Sequence, residues 1–220
     1  MDIEWNGITN SKYLDPESAA LRHQLADAAK SGDWPQAIEV LSKNPKLANS
    51  TRPEGKALDA PLHQAAYGGA PVEVAEQLIA LGAWRSLKNS NGEKPVDIAV
   101  ERKHGHLVQI LTPEYKHQVP SGILAEIQKH FHRVILDRVS HLIKQHNIRL
   151  PELEPLLELE RPHMWFAVPG MMGGFSYWLE TEGEETKLIA ESWSRMDFDS
   201  AERCEINAFG SRFVDEKLIE

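Results

Sequence analysis

Ten histidines and one cysteine are the side chains in this 220-residue chain that could bind metal or act as a nucleophile. A metal pair on a helix needs i,i+3 or i,i+4 spacing. His130 and His141 share a stripe with Asp137 but stand 11 residues apart. That is about 16 Å along a helix axis at ~1.5 Å per residue, too far for one ion to bridge. His104 and His106 are too close in sequence to share a helix face. No metal site and no cofactor are expected. Cys204 has Glu202, Arg203 and Glu205 around it. A reactive thiolate needs a base and an electropositive setting, so Cys204 reads as a small buried residue. The glycine-rich run at residues 169–174 lacks the Lys and Ser/Thr of a phosphate loop and precedes strand residues. It reads as a hairpin or bulge; the other reading is a close backbone contact with a partner, which glycine permits. Arg195 and Glu191, with a nearby histidine, could line a catalytic pocket in the C-terminal sheet, but no motif supports one.

The elements that position these residues follow from composition and period. A hydrophobic content of 41% is enough for a packed core. No apolar run approaches the ~20 residues needed to cross a bilayer. The start, Met1-Asp2-Ile3-Glu4-Trp5, has no signal-peptide core. A lone cysteine excludes an internal disulfide and fits a reducing cytoplasm. The formal charge is −9, and residues 113–220 carry −7 of it, with 12 Lys+Arg against 19 Asp+Glu. An acidic chain argues against nucleic acid, which wants a basic surface, and admits a basic protein partner.

Repetition gives the first half its organisation. Pro61-Leu62-His63-Gln64-Ala65-Ala66-Tyr67-Gly68-Gly69 leads to a second apolar run, Leu78-Ile79-Ala80-Leu81-Gly82-Ala83. Ala65-Ala66 follows Ala28-Ala29 by 37 residues and precedes Ala99-Val100 by 34. A second amphipathic pattern follows each block: Ile38, Val40, Leu41; Val74, Leu78, Ile79; Leu107, Val108, Ile110, Leu111. The Pro-Leu-His-x-Ala core and a period near 33 resemble the ankyrin repeat. The resemblance implies three repeats over residues 18–112, after an N-terminal extension at 1–17. It also implies that His63 ties its turn to the backbone. The first connection, residues 49–61, is about three residues too long for the repeat. In the third block, Pro95-Val96-Asp97 stands where Pro-Leu-His would be.

The second half changes period twice. Leu124, Ile127, Phe131, Val134, Ile135, Val139, Leu142 and Ile143 recur at helical spacing and predict a helix near 122–146, stopped at Asn147. Helix and connector together fill residues 113–162. From Trp165 the period is two, with Phe175, Tyr177 and Leu179 in phase and Trp178 out of phase. Strands are expected at 165–168, 175–179, 188–196, 203–207 and 212–215, with turns at 181–185 and 197–201. The fold class is therefore a short ankyrin-repeat solenoid, then a long helix and a small antiparallel β-meander at 163–220. The stretch Trp165-Phe166-x-Val168-Pro169-Gly170-Met171-x-Gly173-Gly174-Phe175-x-Tyr177, with Glu191-Ser192-Trp193-Ser194-Arg195, resembles a module that follows short ankyrin arrays in bacterial proteins. That group has no assigned activity.

The ankyrin resemblance implies a non-enzymatic protein-binding protein that uses the concave face and finger loops. By position, the helix contacts are Lys30, Ser31, Tyr67, Gly68, Glu101 and Arg102. The loop contacts are Trp84, Lys88, Ser90, Asn91 and Glu93. Tyr67 and Trp84 are the expected anchors, because aromatics give large contact area at low entropic cost. The other reading of Trp84 is packing against the extended loop at 51–59. A sharper version is a bacterial immunity or antitoxin-type inhibitor whose acidic surface draws in a basic toxin. The alternative is an enzyme or small-ligand binder with its pocket in the C-terminal β module.

Overall fold

The computed structural model describes residues 3–182, 185–195 and 197–214. The chain divides into two compact units, residues 9–114 and residues 1–8 with 115–220. Among the described residues no helix is long and apolar enough to cross a membrane.

Residues 9–114 form three helix pairs. Helix α1 (Pro16–Ser31) starts where the Asp15 carboxylate accepts the Ser18 N–H at 2.9 Å, and it ends at Gly32 in the left-handed conformation. Helix α2 (Trp34–Lys43) is capped by Asp33. Pro61 and Pro95 open α3 (Pro61–Gly68) and α5 (Pro95–Glu101), at the helix position where a missing N–H costs nothing. Helices α4 (Val72–Ala80) and α6 (Gly105–Leu111) return from them. Helix α3 packs between α1 and α5, and α4 packs between α2 and α6, so the pairs stack in chain order. The small Ala28, Ala29, Ala65, Ala66 and Ala99 are all buried, which lets the helices approach closely; Leu25, Leu41, Leu62, Leu78, Leu107 and Leu111 fill the core between them. Val100, grouped by sequence with Ala99, is 60% exposed instead.

The His63 position works as a backbone tie. Its Nδ1 accepts the Ala60 N–H at 3.2 Å, and its Nε2 reaches the Glu93 carbonyl at 3.3 Å. In the third pair Asp97 takes over: its carboxylate accepts the Lys94 N–H at 2.9 Å. Any acceptor of the right reach satisfies this orphan donor, so losing the histidine does not lose the helix start.

In the other unit, α7 (Ser121–His146) ends at Asn147, whose φ is +49°, and bends at Val139, where φ is −135° and ψ is 27°. Five strands follow: β1 (His163–Val168), β2 (Gly173–Glu182), β3 (Glu185–Ser194), β4 (Asp197–Asn207) and β5 (Gly210–Val214). They pair antiparallel in chain order. Phe175 and Tyr177 face Phe131 of α7, with ring centroids 6.5 and 4.9 Å apart. The turn expected at 197–201 is strand, because β4 begins at Asp197 and pairs with Ser194. Of the expected turn at 181–185 and the strand end at 215, residues 183, 184 and 215 lie outside the described residues.

The expected extension at 1–17 is divided between the units. Trp165 N–H donates to the Ile3 carbonyl at 2.8 Å, and Trp5 N–H donates to the Trp165 carbonyl at 2.7 Å. Residues 3–5 thereby cover the outer edge of β1, an edge that would otherwise leave backbone groups unpaired. Thr9 and Ser11 instead serve the helical unit, as described below.

Candidate functional site

The connection between α2 and α3 builds a cleft of about 430 Å³ in the helical unit. One wall is α1, from Arg22 through Leu25, Ala26 and Ala29 to Lys30. The opposite wall is α3, from Pro61 and Gln64 to Tyr67, and the floor is residues 50–59. This is the connection expected from the sequence to be about three residues too long, and its residues are held in place from several sides. Glu54 N–H donates to the Thr9 carbonyl at 2.7 Å, and the Ser11 hydroxyl donates to the Glu54 carboxylate at 2.7 Å. Ser90 N–H donates to the Ala57 carbonyl at 2.8 Å. Two residues of the connection, Glu54 and Leu58, sit at positive φ, 59° and 55°, in a region that a side chain disfavours.

Four cations line the cleft, Arg22, Lys30, Arg52 and Lys56, against one carboxylate, Asp59. Arg22 is buried at 7% exposure, and Arg52 is paired with Asp27. Among the described residues Lys30 and Lys56 make no ion pair. The charged side chains lining the cleft are therefore mostly cationic although the chain as a whole is acidic. The whole-chain charge had suggested a basic partner; this cleft favours the opposite sign.

Asp59 is set by its neighbours. Its carboxylate accepts from Gln64 and from the Asn89 amide, both at 3.2 Å. Burial pushes its pKa up; the Asn89 hydrogen bond opposes this and the nearby Glu93 charge adds to it. Asn89 also donates to Glu93 at 3.0 Å, and Asn91 donates to the same oxygen at 3.1 Å. These two hydrogen bonds hold the Glu93 carboxyl below the usual range.

The residues expected on the helices lie at the equivalent C-terminal ends of α1, α3 and α5. Lys30, Gly68 and Glu101 are exposed, and Tyr67 is 52% exposed. Arg102 stacks on Tyr67, with its guanidinium carbon 3.7 Å from the ring centroid. Ser31 is exposed but spends its hydroxyl on the Ala28 carbonyl at 3.1 Å. The loop residues are less available. Trp84 is only 7% exposed, so it is a packing residue and not an anchor. Its N–H donates to Asn49 Oδ1 at 2.8 Å, and Asn49 donates in turn to the Gly82 carbonyl at 2.7 Å. Asn91 and Glu93 are engaged within their own loop, and Ser90 ties that loop to the floor of the cleft. Lys88 is half-buried. Arg22, Arg52, Lys56, Leu58 and Asp59 were not singled out from sequence; the over-long connection was the signal that marked most of them.

Several of the chemistry-bearing residues elsewhere have structural partners. His104, His106, His117 and His132 each place a ring nitrogen 2.7–3.1 Å from a backbone carbonyl, which requires N–H at that nitrogen. Among the described residues, no three His, Cys, Asp or Glu side chains group as a metal site. Cys204 is buried, and burial pushes its thiol pKa up. On the outer sheet face Arg203 pairs with Glu191 at 3.5 Å, and Lys187 lies between Glu180 at 3.3 Å and Glu205 at 3.7 Å. Trp178 is half-buried there and donates to Glu180 at 2.9 Å. Trp193 is 41% exposed and stacks on Trp165. Among the glycines, 173 and 174 are not a ligand loop: a Cβ on either would strike the backbone carbonyl of Trp193 or Phe166.

No protein-family profile and no curated protein sequence matches this chain. Among solved structures, one similar chain comes from the structure of a predatory endopeptidase from Bdellovibrio bacteriovorus in complex with an immunity protein. The identity is 27%, and the TM-score is 0.34. The match covers 40% of this chain and 43% of that one, so this chain spans less than half of the solved chain's length.

Proposed function

We propose that this chain is a protein-binding protein, not a catalyst, and that residues 9–114 are an ankyrin-type array gripping a partner through the face that carries the cleft and Tyr67. The repeat reading is supported by the three stacked helix pairs, the Pro-Leu-His turn with its His63 tie, and the left-handed Gly32, Gly69 and Gly82. The binding reading rests on one observation: Tyr67, half exposed, lies at the rim of a 430 Å³ cleft with Arg102 stacked on it. Tyr and Arg are the residue types most often found as interface hot spots. The non-catalytic reading is supported by the cross-strand ion pairs Arg203–Glu191 and Lys187–Glu180, which commit Glu191 to its neighbour on the sheet.

Cross-linking in a source lysate followed by mass spectrometry tests the reading. A partner captured by the wild-type chain should be lost from the Tyr67→Ala, Arg102→Ala double variant when that variant melts at an unchanged temperature. Retention of every partner by the double variant refutes it.

A further inference from the structure

The chemistry of the cleft says what kind of segment fits it. Its walls divide into an apolar part, Leu25, Ala26, Ala29, Leu58 and Pro61, and a cationic part, Arg22, Lys30, Arg52 and Lys56. Asp27 neutralises Arg52, and Asp59 is the one carboxylate in the lining. Two positive charges are left over in a space bounded by apolar side chains.

Shape restricts the occupant further. The cleft lies between two helix walls with the connection as its floor. An extended segment, whose successive side chains point to opposite sides, reaches both walls at once. Nucleic acid fits less well: a phosphate backbone binds a long basic surface that tracks successive charges. Here the cations are clustered, Asp59 stands among them, and the chain as a whole is −9.

Building on the reading that this unit grips a protein, we propose that the cleft's occupant is an extended acidic segment of the partner. Its carboxylates lie against Lys30 and Lys56, and an apolar side chain lies against Leu25, Ala29 and Leu58. Arg102, beyond Tyr67, carries the positive field past the cleft toward α5.

The test uses the full chain and a displayed library of random heptapeptides. Wild-type protein should enrich peptides that combine Asp or Glu with Leu, Ile or Phe. A fluorescent peptide from that selection should bind the Lys30→Glu, Lys56→Glu double variant about tenfold or more weakly, and wild-type binding should weaken steadily with added salt. Circular dichroism must show the variant folded; Lys30→Gln, Lys56→Gln, with a smaller loss, serves if it is not. Enrichment of basic peptides, no enrichment at all, or an acidic peptide indifferent to charge reversal overturns the proposal. So does displacement of the peptide by a single-stranded oligonucleotide at lower concentration. The two readings fail separately. A captured protein released by Tyr67→Ala, Arg102→Ala but unaffected by Lys30→Glu, Lys56→Glu would keep the binding function and reject the acidic segment.

Discussion

The guanidinium carbon of Arg102 lies over the ring of Tyr67, 3.7 Å from its centroid, and so joins the ends of α5 and α3. Both groups remain exposed. Exposed cation–π pairs contribute about 0.5–1 kcal/mol. Tyr67→Ala should therefore lower unfolding free energy by less than about 1 kcal/mol. An interface hot spot is worth about 2 kcal/mol or more, roughly 30-fold in affinity. Stability and binding should separate accordingly, with Tyr67→Phe near wild type in both. Denaturant melts and dissociation rates check this. A stability loss as large as the binding loss would make the pair a structural clamp and nothing more.

Asn89 holds the two loops beside the cleft together. Its amide donates to Asp59 and to Glu93, while its Oδ1 accepts the N–H groups of Asn91 and Glu93 at 2.9 and 3.0 Å. Asn89→Ala removes all four bonds and leaves the half-buried Asp59 carboxylate with Gln64 as its remaining side-chain donor. The expected cost is about 1–3 kcal/mol. Urea melts should show it, with amide exchange accelerated at Ser90, whose N–H bridges to Ala57. A loss within a few tenths of a kcal/mol would mean that the loops are held from elsewhere.

The legible parts of the sequence were those with a local physical signal. Three helix pairs were visible in the recurring Ala pairs and in the prolines and glycines that bound them. The long helix and the alternating Phe175, Tyr177 and Leu179 were visible because period alone decides which face is buried. The cleft was not, because its cations come from α1 and from an irregular connection whose path depends on contacts with Thr9, Ser11 and Ser90. Trp84 was misplaced for a related reason. A tryptophan after Gly82-Ala83 looks the same in sequence whether it points out or in; the pair of bonds to Asn49, 35 residues earlier, goes with the buried placement. Residues 3–5 on β1 are a further long-range pairing that no local pattern announces.

Asp59 gives a pH signature. Its folded pKa is raised above the unfolded value of about 3.9, chiefly by burial. The folded state therefore favours the protonated carboxyl. That contribution to stability is fully present below the unfolded pKa and is lost as pH rises through the folded pKa. Asp59→Asn stays neutral throughout, and Gln64 can turn its amide to accept from the new one. The variant should be more stable than wild type at neutral pH, and the gap should close as pH falls below about 4. Urea melts across pH 3–7 measure it. A gap that widens in acid would show that Asp59 is held as a favourable anion.

The turn between β1 and β2 gives two substitutions of opposite sign. Gly174 pairs with Ala167, and a Cβ there would strike the Phe166 carbonyl, a backbone atom that cannot step aside without disturbing β1. Overpacking of this kind costs about 1–3 kcal/mol. Gly174→Ala should destabilise the sheet by at least that much and alter the near-ultraviolet signal of the stacked Trp165 and Trp193. Met172, two residues earlier, has φ +53° and is 57% exposed. A left-handed side chain costs roughly 1–2 kcal/mol, and an exposed one returns little by burial. Glycine also loses more backbone entropy on folding, which offsets up to about 1 kcal/mol of that relief. Met172→Gly should therefore stabilise the sheet slightly and leave the tryptophan signal unchanged. A marked loss of stability in Met172→Gly would mean that this methionine packs in solution, and that the exposed turn is part of the core.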